Sequence, residues 1–159
     1  MRIIRNRKIV DDDFVHVADD APIPTDGNIF VSLDRWRADR AVLLARSGKL
    51  GVVLPNTVEP RELADDLPHF AALAVQFPIY RDGRGFSVAR LLRGRLGYQG
   101  ELRAVGNVLR DQILFMERCG FDAYEVQEGK SLEKALEGFD DFSVKYQDAI
   151  DTRTVPRQR

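Results

Sequence analysis

Arg81, Asp82, Arg84 and Ser87 stand in the run RDGRGFS, spaced by Gly83 and Gly85. Asn107, Arg110 and Asp111 repeat the theme in NVLRD. Guanidinium groups offer paired, charge-assisted hydrogen bonds to carboxylate- and phosphate-like oxygens. Glycines let the backbone come close to a ligand. A helix that begins just after such a turn adds unpaired N–H groups and partial positive charge. The chemistry implied is capture of a small oxyanion: phosphate, sulfate, sulfite or a carboxylate. The competing reading is a Gly-rich turn whose arginines pair with Asp82 and face water. Asp82 and Asp111 favour that reading, because they could already neutralise the arginines. The run is neither a P-loop nor a GxGxxG fingerprint.

The elements that must position these residues span Ala72 to Val126. The stretch reads as strand, helix, strand, helix, strand, with short Gly- or Asn-marked junctions. Such alternation predicts βαβ units and a parallel sheet. Strands are expected near Leu73–Phe77, Leu102–Val105 and Phe121–Val126, with helices starting near Phe86 and Asn107. Asn107 would cap the second helix, and Gly120 would close it with Cys119 at the far end from the handovers. If the two strands are neighbours, Arg81–Asp82 and Arg110–Asp111 overhang one crevice. In open α/β sheets that edge binds ligands.

Earlier in the chain, Asn28–Leu33 and Leu50–Leu54 are candidate strands. A helix is expected from Asp34 to about Ser47, with Gly48 as its cap, and another after Glu59-Pro60, with Leu63, Ala64 and Leu67 inward. Trp36 is expected in the core, and Asn56 sits at a handover. Residues 2–17 read as a two-stranded ribbon, Arg2–Arg5 against Phe14–Val17, around Asp11-Asp12-Asp13. Three adjacent carboxylates suggest a metal only weakly, since neighbours on an extended chain face opposite ways; a solvated turn is favoured. Residues 19–27, rich in Pro and Asp, read as a linker. Past Val126, a short helix from Ser131, a further strand at 142–147 and a loose polar tail at 148–159 are expected.

The expected architecture is therefore α/β, residues 1–159 forming a single domain. An N-terminal β ribbon and linker (1–27) precede a core (28–147) of about five parallel strands. A doubly wound sheet comes first and a partial βα barrel second. At 44% hydrophobic and 31% charged residues the composition is that of a globular protein. A net charge of −1 gives no global field for nucleic acid or a membrane surface. No apolar run approaches the length of a spanning helix, no signal peptide is visible, and one cysteine precludes an internal disulfide. A cytoplasmic location is expected. His16 and His69 are isolated, without metal-ligand spacing. With no cofactor fingerprint or redox cysteine pair, neither a metal nor a cofactor is expected.

The segments RDGRGFS, RLG-Y-GELRAVG-VLRDQ and RCGFD, with a late YQ, resemble an uncharacterised proteobacterial family, domain of unknown function nine hundred and thirty-four. The resemblance runs from about Asn28 to Gln147. It implies a role in sulfur assimilation, because the family is usually encoded beside assimilatory sulfite reductase. It carries no catalytic residues over. The expected function is an accessory protein of sulfite or sulfate reduction that binds the reductase, another enzyme of the route, or a small oxyanion. The alternative is a small oxidoreductase or transferase acting on a sulfur oxyanion.

Overall fold

A computed structural model describes residues 1–79 and 82–140. Residues 2–5 and 8–11 form β1 (Arg2–Arg5) and β2 (Lys8–Asp11), an antiparallel hairpin in which Arg5 faces Lys8. The two residues between them, Asn6 and Arg7, have φ of 53° and 64°. Positive φ at both central positions is the turn that matches strand twist in tight hairpins, and Asn tolerates it well. The expected ribbon is therefore corrected: its second strand is Lys8–Asp11. Residues 14–16 leave to form β3 (Phe14–His16), parallel to β4 (Asn28–Ser32).

From there the chain alternates. β4 leads into α1 (Leu33–Ala38) and α2 (Arg40–Ala45), then β5 (Leu50–Leu54), two short 3-10 turns (Pro60–Leu63 and Leu67–His69) and β6 (Ala72–Phe77). α3 (Arg84–Arg90) runs on through a π-helical turn at Leu91–Arg95 into β7 (Glu101–Gly106). α4 (Arg110–Cys119) precedes β8 (Ala123–Tyr124), and residues 132–140 form α5. The expected long helix after β4 is broken at Asp39, whose carboxylate accepts from Arg35 Nε. Its cap is Ser32, which accepts from Arg35 N, not Asp34. Leu43 turns inward, whereas Ala41, Leu44 and Ala45 face out. The expected helix after Pro60 is the pair of 3-10 turns, which still bury Leu63 and Leu67. The expected strand and tail beyond residue 140 lie outside the described residues.

The eight strands of the described residues lie in one sheet, in the order β2-β1-β8-β7-β6-β5-β4-β3. From β3 to β8 the order is that of the chain, and every pair is parallel. A doubly wound sheet needs a point where the strand order reverses, and none exists here. Successive right-handed crossovers instead put the helices on one face. The packing shows this directly. Val31, Val52, Leu73, Val75 and Leu102 pack with Trp36, Leu43, Val88, Ile113 and Met116 in one core. The residues between them, Phe30, Ala72, Ala74 and Val105, join Phe14 in a second cluster on the helix-free face.

Connectivity makes the sheet curl. Laid flat at ~4.8 Å per strand, the outer strands β2 and β3 would stand about 34 Å apart. Yet Asp11 ends β2 and Phe14 begins β3, and three residues span ~11 Å at most. The sheet therefore curls so that the end of β2 comes near the start of β3, giving a half-barrel with helices outside. The partial-barrel expectation describes the fold better than the open sheet, with more strands than the five expected and an antiparallel hairpin at one side.

The helix-side core buries Trp36 completely, with its indole N–H donating to Asp66 and its ring edge-on to Phe70. Cys119 is buried at the C-terminus of α4, and burial pushes its thiol pKa upward. Gly120 follows with φ of 119°, the left-handed cap expected.

Candidate functional site

The C-terminal ends of β4 to β8 share one rim, where the handover residues sit. After β6, residues 80 and 81 lie outside the described residues, so Arg81 has no place in the geometry. Asp82 follows. Its carboxylate accepts from Arg84 N (3.1 Å), Arg84 Nη2 (2.7 Å) and Asn56 Nδ2 (2.8 Å). The side-chain bonds from Arg84 first, then its backbone N–H, hold Asp82 far below the usual carboxylate range. The same contact raises the Arg84 pKa. Asp82 thus links the loops after β5 and β6 through Asn56, which is 6% exposed. Ser87 is exposed on α3.

Gly85 has a packing duty. A Cβ there would come within 2.7 Å of the Phe77 ring. That ring is itself wedged between Phe86 and Phe121, at centroid distances of 5.0 and 5.6 Å. Gly85→Ala should therefore cost ~1–3 kcal/mol by overpacking, read as a lowered urea midpoint. An unchanged midpoint would mean the ring has room to move.

After β7, Gly106 takes φ of 96°, and a Cβ there would meet Phe77 O at 2.6 Å. Asn107 N donates to Phe77 O (2.8 Å), and Asn107 Nδ2 to Pro78 O (3.1 Å). Its Oδ1 accepts from Gln127 Nε2 (2.8 Å). Asn107 is therefore not the helix cap, a position held by Leu109 without a side-chain bond. It stitches the loops after β6, β7 and β8 together. Arg110 opens α4 and pairs with Glu137 of α5 at 3.3 Å. Asp111 is exposed in the same first turn.

Of the handover residues that the structure describes, Asn107 and Arg110 line different clefts. Asn107 lines a cleft of about 450 Å³ with Pro78, Gln127 and the carboxylates Glu125 and Glu128. Arg110 and Asp111 line another, of about 280 Å³, with Lys130, Ser131 and Lys134.

A second polar centre lies on the helix-free face and was missed by sequence reasoning. Arg103, in mid-β7, is fully buried. Its Nη1 and Nη2 donate to the two oxygens of Asp12 at 2.8 and 3.0 Å. Its Nε donates to Glu101 (2.9 Å), and Nη1 also to Glu125 (2.7 Å). The guanidinium lies 4.8 Å above the Phe30 ring. His16 Nε2 is 2.7 Å from Glu125 Oε2, and its ring stacks on Phe30 at 5.0 Å. Arg5 Nε donates to Glu101 (2.8 Å). Burial pushes the Asp12 and Glu125 pKa values up, but the bonds from Arg103, and for Glu125 those from His16, outweigh it, so both end lowered. Arg103 is raised by its carboxylates despite burial.

The cluster joins β1, β3, β7 and the end of β8 across the curl. Asp12 is thus not the solvated turn residue expected; paired with Arg103, it anchors the short step between β2 and β3. Among the described residues, no group of three or more His, Cys, Asp or Glu is arranged to hold a metal ion. The available signal was ELRAV, where charges at 101 and 103 alternate with buried apolar residues. One face of β7 was therefore polar, although a covered parallel strand usually reads apolar throughout.

No helix of the described residues is long and apolar enough to cross a membrane. No curated protein and no solved structure matches the chain. One family model does, over residues 51–156, from the Gly51 of β5 through both handovers and the Arg103 cluster's β7 and β8 members. The chain belongs to the family described as bacterial protein of unknown function, DUF934.

Proposed function

We propose that this protein is an accessory factor of assimilatory sulfite and sulfate reduction. It acts by docking on the sulfite reductase, or on another enzyme of that route, through the rim formed by the C-terminal strand ends. The sulfur context rests on the resemblance of its family. The preference for docking over anion capture rests on one observation. The handover cations that the structure describes, Arg84 and Arg110, each already face a carboxylate of the chain, Asp82 and Glu137. Meanwhile Ile79, at the same rim, is 61% exposed, and the exposed Met1 lines the Asn107 cleft. Apolar side chains held out among satisfied polar groups suit a protein contact.

The test is sedimentation of the purified protein with purified assimilatory sulfite reductase. A complex is expected, weakened about tenfold or more by Ile79→Asp, since a charge in an apolar contact is costly. Two species that sediment independently overturn the docking reading. Calorimetric titration with sulfite, sulfate and phosphate at low salt addresses oxyanion binding. Heat that disappears in Arg81→Ala/Arg110→Ala would move the function to anion binding. Copurification with a haem, flavin or iron–sulfur cluster would move it to an oxidoreductase, because two-electron chemistry at sulfur needs such a group.

A further inference from the structure

The helix-free face of the half-barrel is not filled to its mouth. Register aligns its inward side chains in rows. Phe30, Gly51, Ala72 and Glu101 form one row; Ser32, Val53, Ala74 and Arg103 form the next. Phe30 folds down over Gly51, where a Cβ would lie 2.5 Å from its ring. Arg103 and its carboxylates fill the middle. Above them, towards the strand ends, a cavity of about 350 Å³ remains. Its floor is Val53 and Val105, and His16 and Phe30 form one wall.

Gln76 also lines this cavity. β6 is a central strand with parallel partners on both sides, and five of its six residues are buried. Gln76 is the exposed one. Its amide finds no hydrogen-bond partner among the described residues. A covered strand here would carry an aliphatic residue. An amide with a free donor and a free acceptor, set on an apolar floor, is instead the usual composition of a small-molecule site.

The charges around it fix the class of ligand. Asp19 stands at the rim of the cavity, and no lysine or arginine lines it. Ser32, Val53 and Gln76 also line an adjoining groove of about 460 Å³. That groove adds Asp34, Glu59 and Glu62 against a single cation, Arg37, which lies 3.8 Å from Glu62. Carboxylates outnumber cations along the whole path, which opposes an anion and favours a cation.

We propose that the mouth of the half-barrel is a binding site for an aliphatic guanidinium or ammonium group. The alkyl stem lies on Val53 and Val105. The cationic head donates to the Gln76 carbonyl and to the rim carboxylates. The head can belong to a free amine or to the Arg or Lys side chain of another protein. The inference does not depend on a sulfite-reducing partner, and its test uses the isolated protein.

The probes are n-butylguanidinium, n-pentanoate as its anionic counterpart, and the peptide Gly-Gly-Arg-Gly-Gly, each titrated into the full chain and followed by NMR. Butylguanidinium or the peptide is expected to shift the Gln76 side-chain amide and the Val53 and Val105 methyls, and pentanoate to leave them in place. Gln76→Leu and Asp34→Asn should each weaken binding about fivefold or more. Asp34 is exposed, so its variant should fold, and the same spectra check this. Tighter binding of the peptide points to a partner's side chain, and tighter binding of butylguanidinium to a free amine. Equal shifts from pentanoate, no shift from either cation, or unchanged affinity in both variants overturns the proposal.

Discussion

Replacing Arg103 with Met should cost about 3–5 kcal/mol of folding stability, measured by urea unfolding. The reason lies in what stays behind. Asp12, Glu101 and Glu125 converge on one guanidinium that has no exposed surface. Without it, three carboxylates face one another at the centre of the curl, with Arg5 and His16 at the periphery. Each must then be hydrated by a distortion of the sheet or take up a proton. The cost should shrink when the carboxylates are removed together with the arginine. Arg103→Met combined with Asp12→Leu should recover part of the loss, because paired replacement by apolar groups is often near neutral. A loss below about 1 kcal/mol for Arg103→Met would show that water reaches the cluster freely.

Acid should unfold the protein through the same residues. Asp12 and Glu125 have folded pKa values below their ordinary ones. In that situation the stabilisation is complete above the unfolded value, about 4 for a carboxylate. It is lost as pH falls from there through the folded value. In that window the unfolded chain binds more protons than the folded one, so stability drops with falling pH. Each carboxylate contributes a slope of up to ~1.4 kcal/mol per pH unit. Urea midpoints between about pH 5 and pH 2 would trace the loss. In Arg103→Met the slope should flatten in part, because the guanidinium that lowers Asp12 is gone while His16, which lowers Glu125 together with Arg103, remains. An identical acid slope in wild type and variant would remove the cluster as its source.

How much of this was legible in the chain follows from the range of each signal. The βαβ rhythm from β6 to β8 came from local patterns, and those strands appear within a few residues of expectation. Gly120 as a cap and Ser131 as the start of α5 are also local, and Ser131 Oγ does accept from Lys134 N. The first hairpin was misplaced because its turn, Asn6-Arg7, lacks the glycine that usually marks one. Asp12 and Arg103 are 91 residues apart in sequence, so their pairing becomes visible only once the sheet is seen to curl. Among the proposed site residues, Asp82 and Arg84 found each other as the paired-charge reading expects. Arg110 found Glu137, a partner on a helix whose packing against α4 depends on Gly138. A Cβ at Gly138 would meet Arg110 O at 2.5 Å, and no pattern within α4 foretells it.

The β1–β2 hairpin has its pairing partner far along the chain: Ile4 sits opposite Tyr124, and Arg5 opposite Ala123. During synthesis the first strands therefore leave the ribosome long before the strand they need. Until β8 arrives, β1 offers an unpaired, apolar edge carrying Ile3 and Ile4, both fully buried in the finished molecule. The parallel ladder from β3 to β8 can add strands in the order they are made, each new unit resting on the one before. The final step is different in kind, a closure between sequence-distant ends with the large loop entropy that implies. Until that closure, the β1 edge stays an apolar surface open to association with other chains.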